Sequence, residues 1–123
     1  MTPDPDGVDV RRGTSIAPSD PDGSQLFAGL LGIDDPGGVG TFPYRLEGKQ
    51  VLEPHTHTAA IAACITAGSM RFGFGDAFTE SVEVGRGDYI AIAKDVAHAE
   101  EVTSVEPAEM IVAHGGAFET RPA

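Results

Sequence analysis

From Gly40 onward the chain is written in short apolar stretches separated by glycine, proline or aspartate. Sixteen glycines and nine prolines in 123 residues interrupt it too often for long helices. They leave short strands joined by tight turns. Residues 41–46 read as a strand whose Pro43 requires an edge position or a bulge. Residues 51–57 form the next, with Val51, Glu53, His55 and His57 expected on one inward face. In residues 59–66, Ile61, Ala63 and Ile65 alternate with Ala62 and Cys64. Met70, Phe72 and Phe74 alternate after the turn at Gly68, and Val82 and Val84 after the turn at Gly75-Asp76. Residues 89–93 follow the tight turn at Gly85–Asp88. His98, Glu100 and Val102 share a face on the next run, and residues 109–114 form the last one. About eight strands of this kind specify an all-β sandwich or barrel.

The N-terminal quarter reads differently. Residues 1–24 are rich in Pro, Asp, Gly and Ser and show no periodicity, so they are expected to be an extended or flexible arm before a single domain over 25–123. Val8, Val10 and Ile16 could add an edge strand to the barrel or to a partner subunit. Residues 24–31 suit one short helix or a strand.

Composition excludes several functions. The formal charge of −11 and the lack of a basic cluster beyond Arg11-Arg12 argue against nucleic acid and anionic membranes as partners. No apolar stretch is long enough to span a bilayer. The single cysteine, Cys64, fits a reducing cytoplasm.

Three of the four histidines carry the chemistry. His55 and His57 are two apart, so a strand aims both imidazoles into the same space. His98 must reach that space from another strand. Three imidazoles suit Fe(II), Zn, Ni, Cu or Mn.

The two segments resemble the paired motifs of the cupins, small β-barrels that usually hold one divalent metal. Gly48, His55, His57, position 61 and Gly68 match the first motif. Gly85 to His98, with its Gly87-Asp88-Tyr89-Ile90 stretch, matches the second. The resemblance covers roughly residues 40–115. It implies a double-stranded β-helix, or jelly roll, and one divalent ion per chain on His55, His57 and His98, with Fe2+ preferred and Zn2+, Ni2+, Mn2+ or Cu2+ as alternatives. The chain departs from the pattern where the motif's glutamate ligand should stand, because position 61 is Ile61. Either the metal is lost, or the site works with three histidines, as in dioxygenases of thiols and β-diketones that are similar to cupins. Retention of all three histidines favours the second. A site with one negative charge fewer then favours an anionic, bidentate substrate.

The expected activity is therefore Fe(II)-dependent dioxygenation of a small organic acid, thiol or dicarbonyl. Alternatives are a Zn, Ni or Mn isomerase, lyase or cyclase, and a non-catalytic cupin that binds a small ligand or metal. Glu53 and Glu100 are the candidate catalytic carboxylates. Glu53 could serve as ligand or base, and Glu100 could accept an imidazole N–H. Ile61, Phe72, Phe74 and His114 are expected to line the substrate pocket, with Ala63, Ile65, Met70, Ile90 and Ile92 completing an apolar wall. Free sheet edges and the arm suggest a homodimer.

Overall fold

The computed structural model describes residues 7–12 and 24–123. One helix, α1 (Ser24–Leu31), and ten strands are seen there: β1 (Val8–Arg11), β2 (Gly40–Leu46), β3 (Val51–His57), β4 (Ile61–Ala67), β5 (Ser69–Phe74), β6 (Glu80–Gly85), β7 (Tyr89–Ile92), β8 (His98–Val102), β9 (Ala108–His114) and β10 (Thr120–Pro122). They form two five-stranded antiparallel sheets, ordered β1-β7-β4-β9-β2 and β10-β3-β8-β5-β6. Among the described residues no helix is long and apolar enough to cross a membrane.

The pairings nest around one point. Ser69 pairs with Gly85, Ile61 with Ile92, His55 with His98 and Gly40 with His114. The chain from β2 to β9 is thus one long hairpin whose tip is the 3₁₀ turn Asp76–Phe78, folded over on itself into two sheets. Glycine is required at the Gly68 turn, where φ is +74° and an added Cβ would press on the backbone of Pro107 and Ala108.

Strand alternation sorts side chains into two cores. Ile65, Met70, Phe72, Val84, Ile90, Val102 and Met110 fill the space between the sheets. Burial of each large side chain there stabilises the fold by about 1.5–3 kcal/mol. Ala62, Tyr89, Ala91 and Ala113 point outward and are covered by Phe27 of α1, whose ring lies 5.5 Å from that of Tyr89. Cys64 belongs to this outer layer, and burial pushes its thiol pKa up. It behaves as a small apolar side chain.

Two open sequence expectations resolve and one changes. Within the segment 1–24, Val8–Arg11 is a sheet strand along β7; Ile16 lies outside the described residues. Residues 24–31 are helical. The alternation expected along β3 is broken by a shift of register between Leu52 and His55. Pro54 sits inside the irregularity, where its missing N–H costs no ladder bond. Leu52, rather than Val51 or Glu53, packs on the inner core, and Val51 is 69% exposed.

Candidate metal centre

The same bulge sets the site. Leu52 pairs with Glu100, and His55 pairs with His98. Three steps along β3 therefore span two along β8, and the extra residue lets both Leu52 and His55 face inward. His57 follows two residues on, on the same face. The rings of His55 and His98 lie 4.3 Å apart, those of His55 and His57 4.9 Å, and those of His57 and His98 5.0 Å. One ligating nitrogen from each falls within 4.8 Å of the others.

Hydrogen bonds decide which nitrogens face the centre. Nδ1 of His55 donates to the Glu53 carbonyl at 2.8 Å, and Nδ1 of His98 donates to the Val96 carbonyl at 3.0 Å. Nδ1 of His57 bonds Thr120 Oγ1 at 3.0 Å. All three rings are thereby held by Nδ1, leaving Nε2 toward the common space. His98 has no exposed surface, and its Nε2 is buried without a partner. A buried acceptor left unsatisfied costs about 1–3 kcal/mol. A divalent cation bound by three Nε2 atoms would remove that cost, so these residues fit a metal.

The electrostatics divide the histidines. Burial, then the neighbouring imidazoles of His98 and His55, lower His57 from 6.5 to about 4. Burial also lowers His98. Both stay neutral and able to ligate at neutral pH. His55 is raised, chiefly by its hydrogen bond with Glu100, whose Oε2 stands 3.3 Å from His55 Nε2.

His55 and His57 stand in the wall of a cavity of about 520 Å³ between the sheets, with His98 buried behind them. Ile61, Phe72, Ala63, Ile90 and Ile92 line it, as do Glu53 and Glu100. Glu53 is exposed and engages His55 through its backbone carbonyl, so its carboxylate is not among the grouped ligand atoms. The expected roles of Phe74 and His114 in the pocket change. Phe74 pairs with Glu80 near the hairpin tip and packs on the core. His114 bonds Gly116 and stacks with Phe42 and Phe118 at 5.8 and 5.7 Å, supporting cavity residues without lining the cavity. Ile65 and Met70 are core rather than wall.

Sequence reasoning missed Phe42 and Tyr44 of β2, Met110 and Val112 of β9, and Phe118 and Thr120 beside and within β10. Alternation in residues 108–112 could have revealed Met110 and Val112. The β10 pairing could not be read, because a three-residue strand ending in Pro122 has no periodicity to detect.

No protein-family model matches the chain, and no curated protein matches it in sequence. Solved structures match it in three dimensions. The polyketide cyclase RemF from Streptomyces resistomycificus superposes with a TM-score of 0.60 at 19% identity, over 69% of this chain and 60% of that one. A cupin-2 domain containing protein from Shewanella frigidimarina gives 0.53 at 16%, over 68% and 76%. The fold is that of the cupins. An oxalate oxidase gives 0.56 at 18%, over 94% of this chain and 55% of that one. This chain therefore spans little more than half the length of the cyclase and the oxidase.

In this cupin barrel, Ile61 lies on β4, in the sheet opposite the three histidines. It pairs with Ile92 and His114 on either side and turns an apolar side chain into the cavity. The carboxylate that the cupin pattern would place there is replaced by hydrocarbon.

Proposed function

We propose that this chain is a metal-dependent enzyme acting on a small, largely apolar organic molecule that binds by an anionic, bidentate end. The preferred reaction is Fe(II)-dependent oxidation by dioxygen. One observation carries the reading: three imidazoles, each held by Nδ1, direct Nε2 to one point beside an apolar cavity. A bound divalent ion would supply a Lewis acid there and, as iron(II), a means of activating dioxygen.

The residues of the chain do the rest. His55, His57 and His98 would hold the ion. Ile61, Leu52, Phe72, Ile90 and Val112 wall the cavity and exclude water from the reacting end. Arg121, the one Lys or Arg side chain among the lining residues, can draw an anionic ligand inward. Its hold on Glu119 at 3.0 Å is exposed and easily exchanged.

A second reading has its own support. Phe42, Tyr44, Phe72 and Phe118 give the cavity an aromatic wall suited to a flat or folded carbon skeleton, and the barrel is similar to a polyketide cyclase. The ion would then act only as a Lewis acid in a cyclase, lyase or isomerase.

Metal analysis and oxygen uptake test these readings together. The purified protein should carry about one divalent ion per chain, and His55→Ala and His98→Ala should lose it. Full occupancy in both variants would exclude the site. Oxygen consumption with a panel of 1,3-dicarbonyls, thiols and small carboxylic acids supports the oxidase reading. Substrate conversion that proceeds equally without oxygen supports the Lewis-acid reading. Binding of such compounds with no conversion under either condition would make the chain a binding protein.

A further inference from the structure

We propose that Glu100 is a fourth protein ligand of the metal, a carboxylate delivered by β8 in place of the one absent at position 61. The inference rests on the metal reading above and deepens it.

Register puts Glu100 in position. Glu100 pairs with Leu52 of β3 on one side and Phe72 of β5 on the other, one inward-facing step along β8 from His98. The bulge at Pro54 draws His55 toward this step. As a result, Oε2 of Glu100 stands 3.3 Å from Nε2 of His55. Two donors at right angles on one ion, with bonds of about 2.1 Å, stand about 3 Å apart. The separation from His55 is close to that of neighbouring ligands on a shared ion; the grouped donor atoms are those of His55, His57 and His98, and Glu100 would join them by a turn of its side chain.

The contact does not fit a carboxylate that only orients a ligating ring. A carboxylate that merely orients a ligating histidine binds the nitrogen that does not ligate. In His55 that nitrogen is Nδ1, and the Glu53 carbonyl already occupies it at 2.8 Å. Glu100 instead faces Nε2, the nitrogen that must bind the metal. In the metal-free chain a proton on Nε2 joins His55 to Glu100. A divalent cation would displace that proton and be held by both atoms in its place. Both side chains are largely buried, at 13% and 14% exposed, so water screens their attraction for a shared cation poorly.

Position 61 completes the logic. Ile61 offers no donor from the opposite sheet, and Glu100 restores the charge of a carboxylate from the histidine sheet itself. The side of the ion facing β4 is then left to hydrocarbon and to substrate.

The test uses the full chain, stripped of metal and reloaded with Mn(II) or Co(II). Wild type, Glu100→Gln, Glu100→Ala and the double variant Glu100→Ala/Ile61→Glu are compared. Circular dichroism establishes that each is folded. The readouts are the number of waters on Mn(II), from water-proton relaxation, and the visible spectrum of Co(II). Glu100→Ala should gain one metal-bound water, shift the Co(II) bands and weaken Mn(II) binding at least tenfold. Glu100→Gln keeps the shape of the side chain and carries the comparison if the alanine variant is unstable; its Co(II) bands should shift as well. The double variant should return to the wild-type water count, because a carboxylate again reaches the ion. An unchanged water count and Co(II) spectrum in both single variants would overturn the proposal while leaving the three-histidine site intact. Failure of the wild type to take up either ion would instead remove the metal reading, and this proposal with it.

Discussion

Acid should destabilise the metal-free protein through His57. Its folded-state pKa is about 4, against 6.5 in the unfolded chain. Above pH 6.5 the ring is neutral in both states and contributes no pH dependence. Between 6.5 and 4 the unfolded chain binds a proton that the folded chain refuses, so folding loses about 1.4 kcal/mol per pH unit. Below 4 both states are charged and the loss stops growing. The total is about 3 kcal/mol, a large fraction of the 5–15 kcal/mol typical of a domain. His55 runs the other way. Its pKa is raised by Glu100, so its contribution is complete below 6.5 and is lost as pH rises through the raised value. Metal-free stability should therefore peak near pH 6.5. The assay is urea unfolding in chelator from pH 8 to 3.5, for wild type and His57→Gln. Glutamine is neutral throughout and can still bond Thr120. The variant should lose about 3 kcal/mol less than wild type between pH 6.5 and 4. Parallel stability profiles would refute the claim that His57 is held neutral by burial and by its neighbouring imidazoles.

Three other outcomes are expected. Ile61→Glu should hold or raise metal retention and lower activity, because the new carboxylate reaches the ion from the cavity side; a drop in melting temperature that metal does not offset would show that position 61 is packing alone. Thr120→Val removes the partner of His57 Nδ1 at nearly constant shape, and should weaken metal binding about tenfold without unfolding the barrel, as read by competition with a chromogenic chelator. Gly48→Ala would drive a Cβ into the backbone carbonyl of Val105; neither main chain can yield easily, and a loss of about 3 kcal/mol should appear in the urea midpoint.

Much of this was legible in the sequence. The alternation in β4 and β5 was clean, so the inward set Ile61, Ala63 and Ile65 and the outward set Ala62 and Cys64 follow from period two alone. The histidine pair was legible for the same reason, since His55 and His57 are two apart whatever happens upstream. Upstream, the bulge at Pro54 reversed the faces of Val51 and Leu52. A bulge is a property of pairing with β8, which neither strand shows by itself. That reversal also bears on Glu53: counted back from His55 it shares the ligands' face, but in the barrel it is an exposed lining residue that meets His55 through its backbone carbonyl. His114 was misjudged because its direction depends on a bond to Gly116 and on two aromatic rings, one of them supplied by Phe118 from a segment with no readable pattern.

The nested pairing of the barrel bears on how quickly it can assemble. His55 and His98 are far apart along the chain, and closing a loop of that length directly is entropically costly. With β5 and β6 already joined across the turn at Asp76–Phe78, β4 need only meet β7 across a short remaining gap. β3 then meets β8 across another. Each step closes a small loop in place of a large one, so the chain can fasten from the tip outward like a zip. Substitutions in the β5–β6 hairpin should slow refolding, with φ-values near 1. Those in β2 and β10 should mainly hasten unfolding, with φ-values near 0.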